Sequence, residues 1–92
     1  MEIRVIRKTE NELILEIEGE DHTLGNLLVK EALNHPDIIY ASYRIPHPLQ
    51  NKLELYFTFR SKSDMEKVLC EIVENIHRYL SEFKKEVEEK IS

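Results

Sequence analysis

The sequence predicts an α+β fold, a two-layer sandwich in which two helices cover one face of a four-stranded, mostly antiparallel sheet. Four segments alternate apolar and polar residues with the period of two that a half-buried strand requires, and two other segments repeat apolar residues with the period of a helix. Their order is β-β-α-β-β-α, and no βαβ spacing forces an all-parallel sheet. Packing both helices on one face of the sheet buries these apolar faces together.

The first two strands are predicted to form a hairpin. Residues 2–8 and 12–18 alternate, and residues 9–11 between them make a short loop. In the second strand only Ile14 breaks the alternation. One face of that strand carries Leu13, Leu15 and Ile17.

The first helix is predicted over residues 23–34. Either Asp21 or Thr23 can cap its N-terminus, since each offers an oxygen to the unpaired N–H groups, and Pro36 stops it. At 100° per residue its apolar arc is roughly 240° wide, more than twice what one sheet needs. The arc consists of Leu24, Leu27, Leu28, Val29, Ala32 and Leu33. Either the second helix covers the excess within the monomer, or a partner does.

The third and fourth strands follow this helix. Residues 38–45 alternate with Ile39, Ala41, Tyr43 and Ile45 on one face. Residues 46–48, with two prolines, cannot continue inside a ladder of hydrogen bonds, so a turn or a sheet edge follows. Residues 52–60 alternate most clearly, and one face carries Leu53, Leu55, Phe57 and Phe59.

The last helix is predicted over about residues 64–90, introduced by the capping box at residues 63–66. About 27 helical residues reach roughly 40 Å, whereas a strand of eight residues spans about 27 Å. The last turns should therefore extend beyond the sheet. Their apolar stripe continues through Phe83, Val87 and Ile91, so this end is either a solvated tail or a partner contact, and we favour the partner.

The length and composition of the chain exclude several classes of function. The 92 residues make one domain, and no apolar run is long enough to span a bilayer. The single cysteine, Cys70, cannot form an internal disulfide, which suits a cytoplasmic location. A net charge of −5 argues against a free-standing nucleic-acid binder, so we expect neither direct nucleic-acid contact nor membrane contact.

Two segments carry a resemblance to a known family. One is residues 20–28, Glu-Asp-His-Thr-Leu-Gly-Asn-Leu-Leu, in which Gly25 weakens the first helical turn and so indicates close approach of another element. The other is residues 43–49, Tyr-Arg-Ile-Pro-His-Pro-Leu. Together they resemble the subunit L family of archaeal RNA polymerases, the small α-like subunits, over essentially the whole chain.

The resemblance implies a non-catalytic assembly role in a multi-subunit nucleotidyltransferase, the DNA-directed RNA polymerase. The expected heterodimer partner is the larger α-like subunit, which is called D in archaea. Further expected partners are the small subunits called N and P and the large catalytic subunits. Family dimers pair through the two helices, which gives a four-helix layer between two sheets. The expected interface residues in the first helix are His22, Thr23, Leu24, Gly25, Asn26, Leu27 and Leu28. Those in the second helix are Leu69, Ile72, Ile76, Leu80 and Phe83.

Other classes of function find less support in the residues. None of the four histidines pairs with another at helical ligand spacing, so no metal site, catalytic residue or bound cofactor is expected. A small α+β enzyme would need a nucleophile–base pair or a phosphate-binding glycine loop, and neither pattern occurs. The alternative reading is a homodimeric regulatory or adaptor module, whose apolar stripe would have to be self-complementary.

Overall fold

The structure, a computed structural model, describes residues 2–76 and 81–91. Its elements are β1 (Glu2–Lys8), β2 (Glu12–Glu18), α1 (His22–Leu33), β3 (Ile38–Arg44), a 3-10 turn (Pro48–Gln50), β4 (Lys52–Phe59), α2 (Met65–Glu74) and α3 (Ser81–Ile91). The sheet has the order β1-β2-β4-β3, and every neighbouring pair is antiparallel. The predicted α+β class is confirmed. None of the described helices is long and apolar enough to cross a membrane.

The two central strands form the floor of the core. Leu13, Leu15 and Ile17 of β2 lie opposite Phe57, Leu55 and Leu53 of β4, and residues directly opposite each other project from the same face. All six side chains are at most 2% exposed. Ile14 lies opposite Tyr56, on the other face. The alternation read from β2 and β4 is therefore confirmed.

A bulge changes the pattern in edge strand β3. The register shifts between Ile38 and Tyr40, so Ile38 enters the core at 7% exposure while Ile39 is 58% exposed. The prediction that Ile39 shares the inner face with Ala41 is wrong, because the extra residue of a bulge reverses the alternation on one side of it. Ala41 itself is buried, as expected.

Edge strand β1 also carries a bulge, between Val5 and Arg7. Ile6 is consequently 44% exposed. Beyond the bulge Lys8 lies opposite Leu13, whose side chain is in the core. The bulge therefore brings a lysine to the helix-covered face of the sheet.

Helix α1 begins at His22 because the Asp21 carboxylate accepts a hydrogen bond from the backbone N–H of Thr23 at 3.0 Å. Of the two candidate caps, Asp21 is the one used. The helix packs on β3 and buries Leu24, Leu28 and Ala32. Half of the predicted arc is thus covered within the chain, whereas Leu33 remains 52% exposed.

The prediction of one continuous last helix is corrected by the structure. Helix α2 begins after Asp64, whose carboxylate accepts from the backbone N–H of Lys67 at 3.2 Å, so Asp64 rather than Ser63 is the cap. The helix ends at Glu74, and Asn75 is its C-cap. A second helix, α3, contacts α2 and strand β1, while α2 also contacts α1. Residues 77–80, within the predicted helix, lie outside the described residues.

Because α3 packs on β1, its described apolar side chains, Val87 and Ile91, lie within the domain. Val87 is fully buried and Ile91 is 6% exposed. The Lys8 ammonium donates to the backbone carbonyl of Ile91 at 3.0 Å, which places a positive charge at the C-terminal end of the helix dipole. The expectation that Val87 and Ile91 extend beyond the sheet is therefore wrong for this structure: packing α3 back on β1 buries the side chains that a straight helix would leave exposed.

Candidate functional site

The two sequence motifs meet at the first turn of α1. Tyr43, on β3, places its ring against Gly25, on α1. A Cβ on Gly25 would lie 2.6 to 2.9 Å from three atoms of that ring, closer than side chains pack. The close approach predicted from Gly25 is confirmed, and the approaching group is an aromatic side chain.

Hydrogen bonds hold the ring in this position. The Tyr43 hydroxyl donates to Oδ1 of Asn26 at 3.2 Å, and Nδ1 of His22 lies 3.1 Å from the same hydroxyl. Because the single hydroxyl hydrogen goes to Asn26, the Nδ1–H of His22 is the donor of the second bond. The two rings meet edge to face at 5.7 Å. We name these four residues, His22, Gly25, Asn26 and Tyr43, the Tyr43 clamp.

Backbone hydrogen bonds order the residues that follow the second motif and join them to the residue that precedes the first. Gln50 N–H donates to the carbonyl of His47 at 2.9 Å, which closes the 3-10 turn. Gly19 N–H donates to the carbonyl of Asn51 at 2.7 Å. Asn51 has a φ of 48°, a left-handed conformation that asparagine tolerates better than most residues. The turn holds Leu49 fully exposed.

The structure separates the predicted interface residues into two groups. Leu24, Gly25 and Leu28 of α1, with Leu69 and Ile72 of α2, are buried in the chain's own core. These five fix the helices in place and present little surface to a partner in this conformation.

The second group is accessible. His22, Thr23 and Asn26 are exposed, while Leu27 and Ile76 are half-buried. Leu80 and the side chain of Phe83 lie outside the described residues. Thr23, Asn26 and Leu27 face solvent together with Lys30 and Leu33, since these positions fall within about 120° of one another on the helix. We name these five residues the α1 outer surface.

A second contact fixes the far end of α1. Nδ1 of His35 accepts from the backbone N–H of Asp37 at 3.0 Å, so Nε2 carries the hydrogen and donates to Glu71 of α2 at 2.9 Å. Arg60 donates from Nε to the carbonyl of Pro36 at 2.6 Å. These contacts were not predicted, because nothing in the local sequence pairs His35 with a glutamate 36 positions away.

The face of the sheet away from the helices carries a cluster of paired polar side chains. Glu54 accepts from the Tyr56 hydroxyl at 2.6 Å and from Nε of Arg44 at 2.8 Å. The hydrogen bond from Tyr56, with that from Arg44 and its charge, lowers the pKa of Glu54 despite an opposing desolvation effect. The same contacts with Glu54 raise the pKa of Tyr56 and that of Arg44. This cluster joins the edge strand β3 to β4.

Within residues 2–76 and 81–91, no three side chains of His, Cys, Asp or Glu form a group that could hold a metal ion. A groove of about 660 Å³ between α2 and the β4–α2 loop has charges of both signs along it, including Lys62, Asp64 and Glu71. That mixture gives no evident binding preference. The Tyr43 clamp and the α1 outer surface are the stronger candidates for function.

Comparisons with known proteins agree on one family. Residues 12–86 match the family model described as the RNA polymerase Rpb3/Rpb11 dimerisation domain. The chain is 38% identical to the DNA-directed RNA polymerase subunit Rpo11 of Saccharolobus solfataricus over 95% of both chains. It is 36% identical to the Sulfolobus acidocaldarius Rpo11 over 95% of this chain and 97% of that one. Its fold matches DNA-directed RNA polymerase subunit L from Thermoplasma acidophilum with a TM-score of 0.69, at 24% identity and over 95% and 85% of the two chains.

Proposed function

This chain belongs to the RNA polymerase Rpb3/Rpb11 dimerisation domain family, and from that membership we propose that it pairs with the larger α-like subunit of its polymerase. It is a small α-like polymerase subunit and is non-catalytic on its own. The partner is the protein called D in archaeal polymerases. The heterodimer is the platform on which the large catalytic subunits assemble with the small subunits called N and P. We place this role in the cytoplasm, without a cofactor of its own.

The observation that carries the proposal is the Tyr43 clamp. It joins both family motifs and uses Gly25, a destabilising residue in a helix, for a fixed contact between α1 and β3. A rigid helix loses less conformational entropy when it binds. The α1 outer surface, with two exposed or half-buried leucines beside polar side chains, has the composition expected of a contact patch.

Co-purification tests the proposal. The full chain is expressed alone and with the larger α-like subunit from the same genome, and the molar mass in solution is measured for each. We expect a stable 1:1 complex that melts above either separate chain, because binding stabilises the folded state by mass action. Two chains that stay separate, or a lone chain that forms a stable homodimer indifferent to the second, would contradict heterodimer assembly.

The α1 outer surface is tested by Leu33→Glu. Leu33 is already 52% exposed, so the charge should leave the monomer folded and weaken the pair by about tenfold or more in Kd, about 1.4 kcal/mol. Leu28→Glu would be a poor choice, because Leu28 is buried and its loss reports on folding. The matched control is Tyr40→Glu, 56% exposed on the face away from the helices. Equal effects of both changes would place the contact elsewhere.

A further inference from the structure

The C-terminal end of α1 is joined to α2 by a hydrogen bond between side chains. Nδ1 of His35, just beyond α1, accepts from the backbone N–H of Asp37 at 3.0 Å, and Nε2 of His35 donates to the Glu71 carboxylate of α2 at 2.9 Å. A neutral imidazole has one acceptor and one donor nitrogen, so the bond from the backbone decides which nitrogen donates. The ring is therefore held in the orientation that reaches Glu71.

Arg60 joins the two loops beside this bond. Its Nε donates to the carbonyl of Pro36 at 2.6 Å, and its backbone N–H donates to the carbonyl of Asp37 at 2.9 Å. The carbonyl of Arg60 accepts from the N–H of Ser63 at 3.2 Å, in the loop that leads into α2. The segment that leaves α1 and the segment that enters α2 are thus fixed to each other. We name three residues the interhelical lock: His35, Arg60 and Glu71.

The lock adds direction to a contact that is otherwise apolar. The two helices contact each other, and they bury Leu28 and Ala32 of α1 and Leu69 and Ile72 of α2. Burial of apolar surface is non-directional, whereas a hydrogen bond weakens steeply when its angle changes. The side chain of Glu71 is 47% exposed, so its bond to the histidine contributes little to stability. Its main effect is on the orientation of α1 relative to α2.

We propose that the interhelical lock sets the orientation of α1 relative to α2 that the larger α-like subunit recognises. This inference rests on the proposed heterodimer and deepens it, because the three residues act by positioning other side chains that contact the partner. Accessible apolar side chains lie close to the lock in both helical segments: Leu33 is two residues before His35, and Ile76 is five residues after Glu71. A partner that contacts both segments binds more tightly when their orientation is already fixed, because less conformational freedom is lost on binding.

Glu71→Ala tests the lock in the full-length chain. The Kd for the larger alpha-like subunit is measured by titration calorimetry, at a temperature well below the Tm of every variant. We expect Kd to rise about fivefold, because the partner must then order the two helices itself. The Tm of the free chain should fall by a few degrees at most. Because unfolded chains are rare at this temperature, a loss of stability by itself leaves Kd unchanged. An unchanged Kd therefore overturns the inference.

Two further variants distinguish positioning from direct contact with the partner. Glu71→Gln keeps an oxygen that accepts the Nε2 hydrogen of His35, so it should restore most of the affinity. Glu66→Ala is the matched control, since it removes a glutamate from the same helix. Glu66 lies on a groove that Lys8 of β1 and Ile91 of α3 also line, and its removal should leave Kd unchanged.

His35→Ala, made in the unaltered chain and together with Glu71→Ala, completes the test. If the two residues act through their mutual bond, the double variant should bind as weakly as His35→Ala and no more weakly. A further loss in the double variant, or equal losses in Glu71→Gln and Glu71→Ala, would mean that Glu71 contacts the partner directly, which overturns the positioning role. A heterodimer that forms equally well with every variant overturns the lock and leaves the proposed function intact. Failure of the unaltered chain to pair overturns the proposed function, and the lock with it.

Discussion

Helices α1 and α3 each pack on an edge strand of the same sheet, α1 on β3 and α3 on β1, but they are attached in different ways. Helix α1 buries Leu24, Leu28 and Ala32 and adds the clamp around the Tyr43 ring. The described part of α3 buries Val87 and Ile91, and the Lys8 ammonium donates a hydrogen bond to the carbonyl of Ile91.

The difference lies in the clamp, which fixes α1 to β3. Leu24, Leu28 and Ala32 hold α1 on the sheet, at about 25 cal/mol per Å² of apolar surface buried, and the clamp adds its hydrogen bonds to this burial. The clamp also spans 21 positions in sequence between His22 and Tyr43 and links α1 to β3 at both ring and hydroxyl. We therefore expect α1 to stay in place until the whole domain unfolds, and α3 to open first.

The largest expected effect is a difference in stability between two variants, one with a buried residue of α1 replaced and one with a buried residue of α3 replaced. Leu28→Ala should lower the free energy of unfolding by about 2–5 kcal/mol, as buried leucines do. Val87→Ala should lower it by about 1 kcal/mol or less, because α3 can detach locally without unfolding the sheet. Urea denaturation of each variant measures this, and hydrogen exchange should show the Val87→Ala change confined to α3. Equal losses in the two variants would mean that α1 and α3 belong to one cooperative unit.

The next effect concerns the clamp. Gly25→Ala places a methyl group on the Tyr43 ring, and such overpacking costs about 1–3 kcal/mol, offset by about 1 kcal/mol of better helix propensity. We expect a net loss of up to about 2 kcal/mol by the same balance. In a Tyr43→Ala background the clash is absent, so Gly25→Ala should become neutral or stabilising. A double-mutant cycle measures the coupling energy between positions 25 and 43. Purely additive changes in stability would show that the Tyr43 ring is not the reason why position 25 requires a glycine.

The smallest expected effect is the pH dependence of the stability that Glu54 contributes where β3 is joined to β4. Contacts from Tyr56 and Arg44 lower the pKa of Glu54 below its ordinary value of 4.5. The folded state therefore binds this proton less readily than the unfolded chain. The resulting stabilisation is present above pH 4.5 and is lost as the pH falls through the lower pKa of the folded state. Glu54→Gln should flatten the acid limb of the unfolding free energy, measured by denaturation at a series of pH values, whereas an unchanged limb would assign it to other carboxyl groups.

Much of the fold could be predicted from the sequence, for a physical reason. Central strands are buried on one face along their whole length, so the alternation in β2 and β4 reports their orientation directly. Edge strands lack a neighbour on one side and tolerate bulges, and there the prediction for Ile39 failed. A bulge depends on packing across the sheet, to which local alternation is insensitive.

The candidate functional site was likewise only partly predictable from the sequence. Gly25 predicted a close approach, since a glycine in a helical turn is otherwise unfavourable. The sequence did not indicate that Tyr43 makes it, because the pairing depends on where β3 lies beside α1. The apolar spacing of the interface residues also could not distinguish a side chain that faces its own sheet, such as Leu28, from one that faces solvent, such as Leu33.

Local sequence was sufficient for the order of strands and helices, the inner face of β2 and β4 and the two motifs, because these follow from periodicity and from residue types with narrow conformational preferences. The bulges, the Tyr43 clamp and the return of α3 onto β1 instead depend on contacts between distant parts of the chain. An apolar stripe on a helix indicates that this face will be buried, but it does not identify the element that buries it. In this chain the described end of that stripe is covered by the chain's own first strand.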